Sequence, residues 1–286
     1  MNGVGPEILL SILSNNQFPK NCVPVVYASY KNLENTKRHL SINCELRLIN
    51  SFSELEDSAI NVLDVDALGA TITYGKKDKA VGRLAYHCLA QAVKDLNGRN
   101  IDVLVTAPIS KETVQSKHFS FIGHTDYLNE NIEGTSVMMM VSNSIRVALL
   151  TEHLPLSKVT GFITEDLVKS RTKSIYKTLQ LDFNIPEPKI AMLSIDPHAG
   201  DNGVIGNIDN MVLAPCIRYM RKEGIMVNGP FPADSFFGSM KYKKFDAVIA
   251  PYHDQGLIPF KTLSFGKGVN FTSGLKYVRT SPDHGT

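Results

Sequence analysis

The clearest pattern in the sequence is a set of short apolar runs that each end in a polar segment carrying a histidine. Residues 245–250 (FDAVIA) have the length and the β-branched content of a buried strand. The run ends at Pro251, which cannot donate a hydrogen bond to a neighbouring strand. Residues 146–153 (RVALLTEH) and 190–198 (IAMLSIDPH) repeat the design, so the pattern predicts strands that deliver His153, His198 and His253.

Helical and strand patterns alternate along the rest of the chain, which favours βαβ units and an α/β fold. Residues 80–96 carry apolar side chains at helical spacing, and Asn97-Gly98 predicts a left-handed end to that helix. Residues 101–107 (IDVLVTA) read as a buried parallel strand. Residues 136–141 and 146–151, separated by a polar turn, predict an antiparallel hairpin.

Composition narrows the class of partner. The chain has 286 residues, enough for two domains, with 30 basic against 28 acidic side chains. A net charge of +2 leaves no basic face that would bind nucleic acid, so we expect a small-molecule partner. The four cysteines form no Cys-x-x-Cys pair, which is typical of reduced thiols in a cytoplasmic protein. We expect no membrane anchor, because residues 8–13 are too short an apolar run to cross a bilayer.

The three histidines are the strongest candidates for chemistry. Imidazole is a common metal ligand, and strand ends in one sheet meet at one edge. His153, His198 and His253 lie far apart along the chain, so a metal site requires the fold or a dimer to bring them together. Three imidazoles with an open position would describe a catalytic ion that acts as a Lewis acid. Taken singly, each histidine is equally consistent with an ordinary surface position.

Other polar residues fit an anionic ligand, each with a plainer alternative. His124 and Thr125 precede a predicted helix, where they could meet an anion or simply cap the helix. Asp234 could cap a short helix or face the site. The C-terminal stretch contributes polar side chains that suit phosphate and carboxylate groups or belong to a solvated loop: Lys261, Asn270 and Arg279.

Five strings in order, GHTDYL, DPHAG, APYHDQGLIPFK, GVNFTSGL and VRTSPDHGT, resemble the 4-hydroxythreonine-4-phosphate dehydrogenase family across nearly the whole chain. The resemblance implies a fold like that of isocitrate and isopropylmalate dehydrogenases, with two α/β/α domains. It predicts one domain of residues 1–123 plus 268–286 and a central domain of residues 124–267. The active site is expected in the cleft between domains and at the interface of a cytoplasmic homodimer.

The same resemblance implies roles for individual residues. One divalent ion per site, zinc, cobalt or magnesium, would be bound across the dimer interface by His153, His198 and His253. Substrate would be bound by His124, Thr125, Lys261, Asn270 and Arg279. Asp234 matches an acid that lines the site and is the candidate catalytic residue, and His284 and Gly285 are the candidates for contact with the cofactor NAD.

The implied reaction is NAD-dependent oxidation of 4-phosphooxy-L-threonine to 2-amino-3-oxo-4-phosphooxybutanoate, which loses carbon dioxide to give 3-amino-2-oxopropyl phosphate in pyridoxal phosphate biosynthesis. The alternatives are a dehydrogenase of D-threonate or D-erythronate 4-phosphate, a metal-dependent hydrolase, and an inactive protein. The chain opens at Asn2-Gly3 without the strand that begins family members, and it stops after the HGT string. We therefore expect it to be shortened at both ends.

Overall fold

The computed structural model describes residues 2–15, 19, 21–66, 69–117, 119–121, 123–283 and 285–286. The chain divides into two units, Met1–Ile132 with His284–Thr286, and Glu133–Asp283. Both units mix helices and strands, which confirms the predicted α/β class.

The first unit carries four strands and five α-helices within its described residues. In chain order they are α1 (Gly5–Ser14), β1 (Val25–Ala28), α2 (Tyr30–His39), β2 (Leu46–Ile49), β3 (Ile60–Asp64), α3 (Lys79–Asn97), β4 (Val103–Val105), α4 (Lys111–Val114) and α5 (His124–Asn131).

A parallel sheet of order β1-β3-β2 lies at the centre of this unit. Side chains alternate between the two faces of a strand, so neighbouring residues of β1 contact different helices. Val26 and Ala28 pack in one core with Leu10 of α1 and Leu33 of α2. Tyr27, on the opposite face, donates a hydrogen bond to Asp95 of α3 at 3.0 Å. Helices therefore cover both faces of the sheet.

Two local predictions for this unit are wrong. Strand β4 is not buried as predicted from its apolar sequence, because Val103 and Val105 are 51% and 70% exposed. The end of α3 also differs, since Gly98 is right-handed with φ −74°. The left-handed residue is Arg99 with φ 59°, one position later than predicted.

The second unit contains the remaining elements. In chain order they are β5 (Gly134–Val141), β6 (Arg146–Leu149), α6 (Leu156–Phe162), α7 (Glu165–Leu181), β7 (Ile190–Leu193), α8 (Ala214–Lys222), β8 (Val227–Phe231), α9 (Ala233–Gly238), β9 (Ala247–Ala250), α10 (His253–Ser264), β10 (Val269–Leu275) and β11 (Val278–Pro282).

Strands of the second unit follow the order β11-β10-β5-β6-β9-β7-β8. The β5–β6 pair is antiparallel, which confirms the predicted hairpin. Strands β6, β9, β7 and β8 are parallel to one another. Strand β10 pairs with β5, and residues 268–283 belong to the second unit, whereas the predicted domain boundaries place them in the first.

Apolar side chains on the two faces of this sheet form two separate cores. On one face Met139, Ala148 and Ile249 pack with residues of α7 and α8. On the other face Val147 and Ala250 pack with residues of α9 and α10. Each fully buried large apolar side chain stabilises the fold by roughly 1.5–3 kcal/mol. The result is the predicted α/β/α layering in this unit.

Within the described ranges, no helix combines the length and apolar character needed to cross a membrane. All four cysteines are free thiols.

Candidate active site

Three neighbouring parallel strands deliver the three histidine segments. The sheet places β9 between β6 and β7, and both pairs are parallel. Their carboxyl ends therefore meet at one edge of the sheet, where open α/β sheets bind ligands. His153 follows β6, His253 follows β9 and His198 follows β7. This is the strand arrangement that the apolar runs predict.

The structure brings two of these histidines together. The ring centroids of His153 and His253 are 5.9 Å apart, with 39° between the ring planes. Thr151 holds the two strand ends in register, since its hydroxyl and its backbone N–H both donate to the carbonyl of Pro251, at 2.7 and 3.1 Å. The approach of the two imidazoles is thus fixed by backbone contacts two residues before each ring.

The His253 ring is oriented by its neighbour in sequence. Its Nδ1 lies 2.7 Å from Oδ1 of Asp254. A carboxylate accepts the proton of the nitrogen it contacts, so this contact favours the tautomer with the proton on Nδ1 and a free lone pair on Nε2. Metal-binding histidines commonly have such a partner.

Helix α10 lies close to the strands that carry the histidines. A side chain on Gly256 would come within 2.9 Å of Val147, Leu149 and Ala250, so glycine permits the close approach. In the same turn, Gln255 Nε2 donates to the carbonyl of Ser194, just after β7, at 2.6 Å. This bond joins the start of the His253 helix to the segment that leads to His198.

His198 lies in an unusual backbone turn. Six consecutive residues from His198 to Gly203 have positive φ, between 42° and 96°. Residues other than glycine cost roughly 1–2 kcal/mol each in this region, with asparagine and aspartate better tolerated. The loop closes tightly on itself, since a Cβ on Gly200 would lie within 2.2 Å of the carbonyl oxygen of Gly206. Such left-handed runs persist only where surrounding contacts hold them.

The donor chemistry of these residues fits a divalent ion, because imidazole nitrogen suits zinc and cobalt. Within the described part of a single chain, however, no three His, Cys, Asp or Glu side chains lie close enough together to hold one. His153 and His253 form a pair, and the exposed His198 follows the adjacent strand.

A buried cation lies on the β10–β11 hairpin. Arg279 is 2% exposed, and burial lowers the pKa of its guanidinium to about 10. Its Nη1 donates to the hydroxyl of Thr272, directly opposite in the strand register, at 3.1 Å. The side-chain oxygen of Asn270 is buried and accepts no hydrogen bond within the described residues. The oxygen of Asn270 is therefore able to accept a hydrogen bond from a ligand, and the positive charge of Arg279 favours an anionic one.

The other predicted residues have different surroundings. Lys261 on α10 is half-exposed and forms an ion pair with Asp283 at 3.1 Å. His124 and Thr125 are half-buried in the first turn of α5, in the first unit. Asp234 is exposed in the first turn of α9, and Pro232, not Asp234, precedes that helix as its cap.

The two residues predicted to contact the cofactor are at the C-terminus. Gly285 is exposed, and a Cβ on it would meet no atom within 4 Å. His284 lies outside the described residues.

Comparison with known proteins decides the family. Residues 20–286 match the family described as pyridoxal phosphate biosynthetic protein PdxA. The chain belongs to the PdxA family. This confirms the family that the five sequence strings predict.

Relatives within the PdxA family match along the whole chain. A 4-hydroxythreonine-4-phosphate dehydrogenase from Bacteroides thetaiotaomicron is 38% identical over 288 residues, covering 100% of this chain and 79% of the relative. A protein from Oceanobacillus iheyensis, named provisionally as a D-threonate 4-phosphate dehydrogenase, is 36% identical over 290 residues, covering 99% of this chain and 87% of the relative.

The fold agrees with solved PdxA-type structures. A crystal structure of 4-hydroxythreonine-4-phosphate dehydrogenase from Klebsiella pneumoniae superposes with a TM-score of 0.87 at 31% identity. The match covers 99% of this chain and 87% of that one. The fold of this PdxA chain is therefore that of the dehydrogenases.

Sequence reasoning assigned no role to several residues that support the predicted site residues of this PdxA chain. Asp254 and Gln255 directly follow His253, so their position in the string was a usable signal. Asp283, the partner of Lys261, also stands in a predicted motif. Asp209 gave no such signal. It binds the backbone that follows β7, and this contact depends on the path of the intervening loop, which residue spacing does not predict.

Proposed function

We propose that the chain is an NAD-dependent and divalent-metal-dependent dehydrogenase that oxidises 4-phosphooxy-L-threonine. The product, 2-amino-3-oxo-4-phosphooxybutanoate, is a β-keto acid and loses carbon dioxide to give 3-amino-2-oxopropyl phosphate. Membership of the PdxA family supports the reaction. The observation in the structure that carries the proposal is the meeting of three histidine-bearing strand ends, after β6, β9 and β7, at one sheet edge.

His153, His198 and His253 would hold the ion, with the ring of His253 oriented by Asp254. When bound, a divalent ion lowers the pKa of the substrate C3 hydroxyl and so eases the departure of hydride to the nicotinamide. Zinc or cobalt suits imidazole ligands better than magnesium does.

The charged ends of the substrate would be held by basic and polar side chains. Buried Arg279 offers a charge-assisted, two-pronged contact to a carboxylate or phosphate. The buried oxygen of Asn270 would accept a hydrogen bond from the C2 ammonium group. Lys261 would exchange its partner Asp283 for a substrate anion. His124 and Thr125 would bind a phosphate at the start of α5, where backbone N–H groups favour anions.

NAD is the hydride acceptor in this proposal, with its contact at His284 and Gly285. The exposure of Gly285 and its lack of a side chain support a close approach by the cofactor. Asp234 is proposed as the acid-base residue, since its exposed carboxylate can exchange protons with water. The free cysteines support a cytoplasmic location.

A homodimer that shares the metal site would complete the ligand set, because one chain pairs only two of the three imidazoles in its described residues. Exposed apolar side chains follow each histidine along the chain and support an interface in this unit. After His153 these are Leu156 and Phe162, after His198 they are Val204 and Met211, and after His253 they are Ile258 and Phe265, with exposures between 54% and 86%.

Complementation between variants tests the shared site. His198→Ala and His253→Ala subunits, each inactive alone, are co-expressed with different tags. If the two ligands come from different subunits, the mixed dimer contains one intact site, and a random mixture regains about a quarter of wild-type activity. If all three ligands come from one chain, no mixture regains activity, and the shared-site proposal fails.

The activity itself is tested with purified protein, NAD and defined ions. We expect NADH and carbon dioxide to form in equal amounts from 4-phosphooxy-L-threonine, and a chelator to stop both. Release of phosphate without NADH would instead indicate a hydrolase, and no turnover with any added ion would refute 4-phosphooxy-L-threonine as the substrate.

A second substrate is favoured by the Oceanobacillus iheyensis relative. D-threonate 4-phosphate carries a hydroxyl where 4-phosphooxy-L-threonine carries an ammonium group, and a hydroxyl can also donate to Asn270. Comparing kcat/KM on the two substrates decides between them, because the better substrate identifies the function.

A further inference from the structure

Asp209 is a fully buried carboxylate that no proposed step of the reaction uses. It is 0% exposed and begins a π-helical turn, Asp209–Leu213, that leads into α8. Burial raises the pKa of Asp209, and hydrogen bonds from the backbone of Asp196 and Ile195 act in the opposite direction. A buried carboxylate is unfavourable unless it is hydrogen-bonded, so its partners indicate its role.

Both oxygens of Asp209 bind the backbone that leads to His198. Oδ1 accepts from the N–H of Ile195 and Oδ2 from the N–H of Asp196, each at 2.9 Å. These two residues lie just before the left-handed turn that begins at His198. The carboxylate therefore fixes the direction in which the chain enters the turn.

Asp196, whose backbone N–H is bound by Asp209, makes further contacts with the turn. The carbonyl of Asp196 accepts from the N–H of Ala199 at 3.1 Å and from the hydroxyl of Ser194 at 3.0 Å. The side chain of Asp196 packs against Gly206, where a Cβ would lie 1.9 Å from its carboxylate. Asp196 therefore contacts the strained turn at both ends: its carbonyl binds Ala199 at the start, and its carboxylate lies against Gly206 after the turn.

We propose that Asp209 is a positioning residue for His198: its carboxylate binds two consecutive amides and holds the left-handed turn in the one conformation that presents the imidazole. The inference rests on the proposed metal-binding role of His198. It adds to the site a residue that lies outside the histidine strings and that acts through the backbone, not by touching substrate or ion.

The test measures binding of Co²⁺ alone to the 286-residue chain, by titration, with no substrate present. Asp209→Asn replaces one acceptor oxygen by an NH₂ group that faces an amide donor, and we expect affinity to fall about 10- to 100-fold, as for other residues that support metal ligands. Hydrogen exchange at the amides of Ile195 and Asp196 should become faster. The longer carboxylate of Asp209→Glu should restore part of the affinity.

Asp95→Asn is the matched control. Asp95 is also buried, at 6% exposed, and accepts hydrogen bonds from Tyr27, Gln91 and Asn100, but it lies in the first unit. We expect its loss to lower stability and leave Co²⁺ affinity unchanged.

A double variant separates positioning from general damage. If Asp209 acts through His198, then adding Asp209→Asn to His198→Ala causes no further loss of Co²⁺ affinity. Independent, multiplying losses would overturn the proposal, as would wild-type affinity in Asp209→Asn. If neither Asp209 variant folds, the residue is structural and the proposal is wrong. If the wild-type chain binds no Co²⁺ at all, the proposed metal function fails together with this inference.

Discussion

Because Arg279 is buried, replacing it tests whether its charge stabilises the fold or binds a ligand. Its pKa is lowered to about 10 by burial. A fall of that size from the ordinary guanidinium value means that folding disfavours the charged form by about 3 kcal/mol. The folded and unfolded forms are both protonated at neutral pH, so the full cost is present there. It diminishes only as the pH rises above about 10.

Arg279→Met removes that cost and also loses the contacts of the guanidinium, among them the hydrogen bond to Thr272, and such a bond contributes about 1 kcal/mol. Because the gain and the losses oppose each other, we expect the free energy of unfolding to change by less than about 2 kcal/mol, although the residue is 2% exposed. Substrate binding should suffer, because losing one member of a buried charge pair costs about 2 kcal/mol or more, roughly 30-fold in KM.

The assay combines urea unfolding, followed by circular dichroism, with steady-state measurement of KM and kcat. Arg218→Met is the control, since Arg218 is an exposed arginine on α8 of the same unit. It should change neither quantity. A variant at 279 that loses more than about 2 kcal/mol of stability while its KM is unchanged would refute the reasoning and make Arg279 a structural residue.

Three further outcomes follow from the structure. His253→Ala should lose its bound metal during gel filtration. The free energy of unfolding should change by less than about 1 kcal/mol, because the side chain of His253 is 37% exposed. An unchanged metal content would mean that His253 is not a ligand. Thr164→Ala should cost about 1 kcal/mol in thermal unfolding with kinetics unaltered, because its hydroxyl accepts from Leu167 N–H at 3.2 Å and caps α7; an unaltered Tm would contradict this. Iodoacetamide should modify exposed Cys22 first, since burial raises the pKa of Cys88 to about 12, and mass spectrometry showing equal rates would be the opposite result.

The sequence predicted the strand ends well because they depend on local signals. An apolar run of β-branched residues, a proline stop and a following histidine all lie within ten residues around His253. The prediction that such runs lie side by side required only that parallel strands share an edge, which the pairing of β9 with β6 and with β7 satisfies.

What the sequence could not predict depends on the path of loops and on neighbours in space. His198 and Ala199 are residues that ordinarily avoid positive φ, so local preference points away from the turn they form. Asp209 lies well beyond that turn, and its contact with Ile195 arises only once the loop has folded back. The apolar sequence of β4 likewise indicated burial, whereas exposure of Val103 depends on what lies beside it.

The position of β9 in the sheet has a consequence for biosynthesis of the chain. Strands β6 and β7 are made first, but β9 must enter between them before either can complete its hydrogen bonds on that side. A ribosome-bound chain that ends before residue 245 therefore presents two unfilled strand edges, which are prone to pair with other chains. Assembly of this sheet should depend on rapid delivery of its last parallel strand, and premature termination in this region should yield aggregates and not a half-working enzyme.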